Sequence, residues 1–366
     1  MKILIAPQEF KGSLSADEAA SAIAAGVGAM RPGWDVELLP LSDGGPGFVS
    51  ALHTALGGDI RAALTHDPLG RKVVGRYLWV GGRGMVVVEA AQANGLFHLR
   101  TEERDALGAD TFGVGELLAA AARDEPRTLL VGVGGSATTD GGAGMARALG
   151  ARFFDASGQE LGPGGGELLR LDRIEWEAPR WASQVPEIVV ATDVTNPLTG
   201  PSGAAQVYGP QKGATPDDVT VLDRALARYA EVVRRDLGTD IAAVAGGGAA
   251  GGLAAGIVAF LGGRIESGFE VVAEATGLRE RIAAADVVIT GEGSFDAQSL
   301  QGKTTGRLLA LATEVGRQVV VFAGRAHADN PGIRTLKELE GDERRAMTEA
   351  APLLTELARR WAAGAG

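Results

Sequence analysis

The strongest constraint in this chain is a rhythm. Short β-branched runs, apolar on both faces, alternate with helical patterns. Residues 2–7 read as a strand and 16–30 as a helix, and 36–41 with 48–56 repeat the pair. Further strand-length runs follow at 128–133, 188–193, 286–290 and 319–323, with helical patterns at 216–237 and 304–313. Strands that are apolar on both faces belong in a buried parallel sheet, and strand–helix alternation predicts an α/β architecture. Residues 59–90 break the rhythm. There 59–65, 71–80 and 85–90 read as three strands joined by tight turns, with no helix between them. A meander inside an α/β chain predicts a second domain inserted into the first. The expected organisation is one α/β domain from 1–60 plus 280–366, and an inserted α/β domain with a mixed sheet over 61–279. The 128–133 strand fits either sheet. Residues 342–363 read as a single amphipathic helix.

Composition narrows the function classes. Glycine accounts for 55 of 366 residues, against about 7% in ordinary chains. There is no Gly-X-Y period and 45% of the residues are hydrophobic, which excludes collagen and low-complexity disorder. Cysteine is absent, so there are no disulfides and no thiolate metal site. The net charge of −11 argues against nucleic acid and anionic membranes, though one local basic site for a small anion stays open. The apolar start ends at Pro7 and lacks the form of a secretory leader, so a cytoplasmic location is expected. Residues 241–263 carry no charge but hold eight glycines. They read as a glycine-rich loop leading into a buried helix near 252–261, not as a membrane span.

The glycines cluster just after strand candidates, where ligands bind in open α/β sheets. Five clusters stand out. The first is 10–15, where Lys11 and Ser13 could meet an anion at a helix start, or Ser13 or Ser15 could simply cap that helix. The second and third echo each other: Asp43-Gly44-Gly45-Pro46-Gly47 and Asp140-Gly141-Gly142-Ala143-Gly144. Gly132-Val133-Gly134-Gly135-Ser136-Ala137-Thr138-Thr139 leads into the third and matches a dinucleotide fingerprint only loosely. The fourth holds Asp193, Asn196 and, further on, Lys212. A carboxylate at the end of a buried strand is costly unless paired or functional, which makes Asp193 a site candidate. The fifth joins Gly291-Glu292-Gly293 and Asp296 to Gly302-Lys303-Thr304. It fails as a P-loop because Ala297 stands where glycine is required.

Lysine usage points the same way. The chain has six lysines against 29 arginines, and Lys11, Lys212 and Lys303 all fall in these clusters. A lysine ammonium is a compact charge suited to phosphate or carboxylate oxygens. The four histidines are scattered without metal-ligand spacing, and no Gly-x-Ser-x-Gly elbow exists. Carboxylates, lysines and bare amides suit phosphoryl transfer, which demands positioning, charge neutralisation and a base for the attacking hydroxyl.

At these residues the chain resembles the bacterial glycerate kinases of type I. The likeness lies in 10–16, in 134–138 with 140–144, in Asp193 with 196–201, in 209–214, and in 291–293 with 296–298, in order and spacing from about residue 1 to 325. The resemblance implies two α/β domains, one flavodoxin-like and discontinuous, with the active site in the cleft between them. It implies ATP-dependent phosphorylation of D-glycerate, most readily at the 2-hydroxyl to give 2-phosphoglycerate, with Mg²⁺ accompanying ATP. Two departures stand out. Gln8-Glu9 replaces the family's usual Asp-Ser, and Pro46-Gly47-Phe48 replaces Glu-Gly-Thr after Asp43-Gly44-Gly45.

The expected roles follow. Asp193 is the general base, with Lys11 and Lys212 as the other catalytic residues. Lys11 and Ser13 take the glycerate carboxylate or a phosphate, with Asp43, Asn196 and Lys303 also on the substrate. Gly134, Gly135, Ser136, Thr138 and Thr139 hold the ATP phosphates, and Lys212 with Lys303 neutralises the transferring group. Asp296 and Glu292 are the metal ligands, or one of them the alternative base. A glycerate 3-kinase, or a kinase of a related small hydroxy acid, is the nearest alternative. An NAD-dependent oxidoreductase with Asp155 on the ribose and a non-catalytic ligand-binding protein are the alternatives from other classes. Nucleic acid and membrane partners are not expected, and the oligomeric state, a homodimer included, stays open.

Overall fold

The structure is a computed structural model and describes residues 1–185, 187–296, 299, 304–326 and 333–365. Among the described residues the strands in chain order are β1 (Lys2–Ile5), β2 (Asp35–Leu38), β3 (Asp59–His66), β4 (Lys72–Val80), β5 (Met85–Glu89), β6 (Thr128–Gly132), β7 (Arg152–Asp155), β8 (Leu171–Glu175), β9 (Glu187–Ala191), β10 (Arg264–Glu266), β11 (Val287–Phe295), β12 (Gln318–Ala326) and β13 (Ile333–Thr335). Two compact units emerge. The first comprises Met1–Asp43, Ser50–Gly57 and Phe269–Gly366, the second Gly44–Val49 and Gly58–Gly268.

The first unit carries a five-stranded sheet in the order β13-β12-β11-β1-β2. Every pairing in it is parallel. Numbered within the unit this is the doubly wound 2-1-3-4-5 order of flavodoxin-like sheets, whose switch point lies between the first and third strands, here β1 and β11. Ile3, Ile5, Val287, Ile289 and Phe322 are buried against the helices Ala16–Met30 and Ala350–Gly364. The first of these helices starts where the sequence dictates. Ser15 accepts from the Glu18 N–H while Glu18 accepts from the Ser15 N–H, a reciprocal cap.

The second unit carries a six-stranded sheet, β10-β9-β6-β5-β4-β3. β10, β9, β6 and β5 run parallel, and the β3–β4–β5 meander is antiparallel. The expected mixed sheet is thus present, and the 128–133 strand belongs to it. The long helix Pro216–Leu237 follows its signals closely: Thr215 and Asp218 form a capping box, Pro216 opens the first turn, and Gly238 closes the helix in the left-handed region. Its stripe of Leu222, Leu226, Tyr229 and Val233 is buried. Residues 241–263 form the expected glycine-rich loop and a buried helix, Leu253–Leu261. No helix among the described residues is long and apolar enough to cross a membrane.

Three expectations need correction. The tail is not one helix but two, Glu343–Thr348 and Ala350–Gly364. Pro352 is the reason, because its ring would strike the Thr348 carbonyl in a continuous helix. Gly291, Glu292 and Gly293 are not in a loop after the strand. They lie within β11, which continues to Phe295 because β12 pairs alongside, with Glu292 beside Ala323 and Phe295 beside Ala326. The β7–β8 hairpin is a third difference. Asp155 sits at its turn and accepts from the N–H groups of Ser157 and Gln159, a turn role rather than a ribose contact.

Candidate active site

In the second unit the chemistry gathers at the carboxyl ends of β6, β9 and β10. The chain leaving β6 runs through Gly134, Gly135 and Ser136 to Asp140, which is wholly buried. Asp140 accepts four hydrogen bonds. Oδ2 takes the Thr111 N–H at 2.9 Å, the Thr111 hydroxyl at 2.7 Å and the Gly144 N–H at 2.9 Å, while Oδ1 takes the Gly142 N–H at 3.1 Å. It is a structural hub that shapes the loop from beneath.

Lys212 is the charged residue this loop encloses. It ends the short turn Pro210–Lys212 and is 2% exposed. Its Nζ donates to Ser136 Oγ at 3.0 Å and to the Thr138 carbonyl at 2.5 Å. Burial lowers its pKa to about 7, partly offset by the Asp140 charge. Lys212 lines a cavity of about 110 Å³ together with Gly134, Gly135, Ser136, Thr192 and Tyr208. In its charged form the Lys212 ammonium has three donors, so one N–H then remains for a ligand in that cavity.

The other predicted residues of this unit separate by role. Asp193 follows β9 and is half-buried, with Oδ1 accepting from the Ser267 hydroxyl at 2.7 Å. Thr138 and Thr139 are wholly buried and do not line the cavity. The Thr138 hydroxyl accepts from Asn94 Nδ2 at 3.2 Å. Asn196 is engaged on both sides of its amide: Oδ1 accepts from the Tyr208 hydroxyl at 2.8 Å and Nδ2 donates to the Ser202 carbonyl at 2.8 Å. It holds Tyr208, which faces the cavity.

In the first unit Lys11 and Ser13 line a larger cavity, of about 480 Å³. Ser13 Oγ donates to the Phe10 carbonyl at 2.8 Å. Asp43 Oδ2 accepts from Gln8 Nε2 at 3.2 Å. The neighbouring Glu9 carboxyl is raised above its ordinary range, first by burial and then by the Asp43 charge, with Lys11 pulling it back. The two sequence departures at 8 and 9 thus place an amide and a second carboxyl beside Asp43. Glu292 is buried in β11, and Asp296 just beyond it accepts from the Ser299 N–H at 3.0 Å. Lys303 lies outside the described residues.

The glycerate kinase family profile matches residues 3–364. The chain belongs to the glycerate kinase family. It is 43% identical to the glycerate 2-kinase of Escherichia coli K12 over 88% of this chain and 85% of that one. It is 42% identical to the glycerate kinase of Halalkalibacterium halodurans over the same shares. A crystal structure from Salmonella typhimurium LT2, assigned as a glycerate kinase 2, superposes with a TM-score of 0.84 at 40% identity, covering 99% of this chain and 97% of that one. As a glycerate kinase the chain is an enzyme, and both the oxidoreductase and the non-catalytic readings fall away.

Two residues of this glycerate kinase escape sequence reasoning. Ser267 meets Asp193 only because β10 pairs with β9. Glu89, buried at the end of β5, accepts the N–H groups of Gly47 at 2.9 Å and Val49 at 3.4 Å and so anchors the second glycine cluster. Burial raises its pKa and those N–H groups pull it down. Neither residue sits in a motif, and no local signal could have found them.

Proposed function

We propose that this glycerate kinase transfers the γ-phosphoryl group of ATP to the 2-hydroxyl of D-glycerate, giving 2-phosphoglycerate. The observation that carries the acceptor side is Lys212, a buried ammonium with a donor to spare, facing a cavity of about 110 Å³. That volume lies far below the roughly 300–1,000 Å³ of drug-sized ligand pockets and suits a three-carbon acid. The sequence expectation put ATP phosphates on Gly134, Gly135 and Ser136. The cavity's size favours the acid's carboxylate there instead, held by Lys212, Ser136 and the glycine amides. Thr138 and Thr139 then support the loop from within. The 43% identity to a protein named glycerate 2-kinase supports the choice of hydroxyl.

Asp193 is the general base in this account. It follows β9 directly after the cavity-lining Thr192, and Ser267 holds its carboxylate by one oxygen. Lys11 and Ser13 bind phosphate oxygens, with Lys303 assigned to the same charge. Mg²⁺ would accompany ATP. Mg²⁺ in kinase sites is commonly bound by one or two carboxylates and otherwise by phosphate oxygens and water. Glu292 is the carboxylate we assign to it. Asp296, turned toward Ser299, is the weaker candidate. The ion's contribution is to neutralise phosphate charge. A cytoplasmic setting goes with ATP as donor.

The test is an ATP-dependent assay with D-glycerate and Mg²⁺. Removal of D-glycerate should abolish ATP consumption, and D-lactate, which keeps the configuration at C2 but lacks the 3-hydroxyl, should replace it poorly.

A further inference from the structure

The 480 Å³ cavity of the first unit is larger than Lys11 and Ser13 need for a single phosphate. It opens at the carboxyl ends of β11 and β12 and beside the loop that follows β1, which is the switch-point position where doubly wound sheets bind ligands. Its volume lies within the range of drug-sized ligand pockets, over four times that of the Lys212 cavity. Its lining is divided. Leu336, Ala346 and Met347 give an apolar wall, Lys11, Arg325 and Lys337 bring three cations, and Glu340 and Glu343 add two carboxylates, paired with Arg345 and Arg325.

The cations differ in how far they are engaged. Arg325 donates through Nε to Ser294 Oγ at 3.2 Å and through Nη1 to Glu343 at 2.7 Å. Lys11 and Lys337 are exposed and make no hydrogen bond or ion pair with any described residue. An apolar wall beside two exposed ammonium groups matches a ligand with a flat heteroaromatic end and an anionic end.

We propose that this cavity seats the nucleotide, with the base and ribose against Leu336, Ala346 and Met347 and the phosphates toward Lys11 and Lys337. The proposal rests on the ATP-dependent reading above and assigns the donor its own site. Lys337 lies outside the motifs that carry the resemblance, so nothing in them pointed to it.

The test separates the two ligands. A non-hydrolysable ATP analogue with Mg²⁺ is titrated calorimetrically into the full chain, and KM is measured for ATP and for D-glycerate separately. Lys337→Glu reverses an exposed charge and should fold normally. It is expected to raise the analogue's Kd and the ATP KM by ~10-fold or more, equivalent to about 1.4 kcal/mol, with the glycerate KM within about 2-fold. Ala346→Phe, which fills the apolar side, should move the same two quantities. An unchanged ATP KM in Lys337→Glu, or a rise confined to the glycerate KM, overturns the proposal, as does wild-type protein that binds no analogue. Wild-type protein that binds the analogue at this cavity yet leaves D-glycerate unphosphorylated supports the seat and sinks the acceptor reading instead.

Discussion

The Ser267 hydroxyl donates to Asp193 Oδ1 at 2.7 Å, joining residues just past the ends of two adjacent parallel strands. One oxygen of the carboxylate is thereby oriented by a neighbour that carries no charge. If Asp193 takes the proton of the attacking hydroxyl, Asp193→Asn should lower kcat by ~10²–10⁴-fold, the usual contribution of a positioned base. Ser267→Ala should lower kcat by a smaller factor and leave both KM values near wild type. Steady-state kinetics on the two variants checks this, and a kcat for Asp193→Asn within ~10-fold of wild type would remove the base role.

Lys212 makes stability depend on pH in a defined direction. Its ammonium is charged and buried below about pH 7 in the folded chain, whereas the unfolded lysine titrates near 10.4. Between those values the unfolded state binds more protons, so folding stability rises with pH across that window. Lys212→Met removes the titration. Its melting temperature minus that of the wild type should therefore be greater at pH 6 than at pH 9. A difference that stays constant or widens with pH would mean that Lys212 is not a depressed, buried amine.

The same titration bears on substrate binding. A carboxylate on Lys212 favours its charged form, so D-glycerate should bind with net proton uptake near pH 8. Calorimetry in buffers of different ionisation enthalpy measures the number of protons. An uptake close to zero would place the acid away from Lys212.

Asp140 is expected to matter for folding first. Truncation to alanine leaves the buried N–H groups of Thr111, Gly142 and Gly144 without their acceptor. At about 1–3 kcal/mol for each orphaned group, Asp140→Ala should cost at least ~3 kcal/mol, read from chemical denaturation. Retention of wild-type stability would show that the loop does not depend on this hub.

The fold was legible where its causes are local. The Pro216–Leu237 helix announces itself through Thr215, Asp218, Pro216 and Gly238. The 59–90 meander was readable because its turns are spelled out between strand-length runs. β11 was misjudged because Gly291 and Gly293 look like loop residues, and only the pairing with β12 extends the strand through them. The site was legible in part. Lys212 was found because lysine is rare in this chain, whereas Ser267 is 74 residues from its partner Asp193. The glycine excess also reads differently. Gly44 has φ +92° and a Cβ there would lie 2.1 Å from the Ala191 carbonyl oxygen. Gly141 has φ +64° and a Cβ there would meet the Tyr229 ring at 2.6 Å. In both Asp-Gly-Gly copies the bare backbone serves close approach of the chain to itself.

The most direct measurement of the central claim is the identity of the product. The full chain incubated with ATP, Mg²⁺ and D-glycerate should consume both and yield 2-phosphoglycerate, resolved from the 3-phosphate by phosphorus and carbon NMR. Formation of 3-phosphoglycerate, or ATP consumption that does not depend on D-glycerate, would contradict the account.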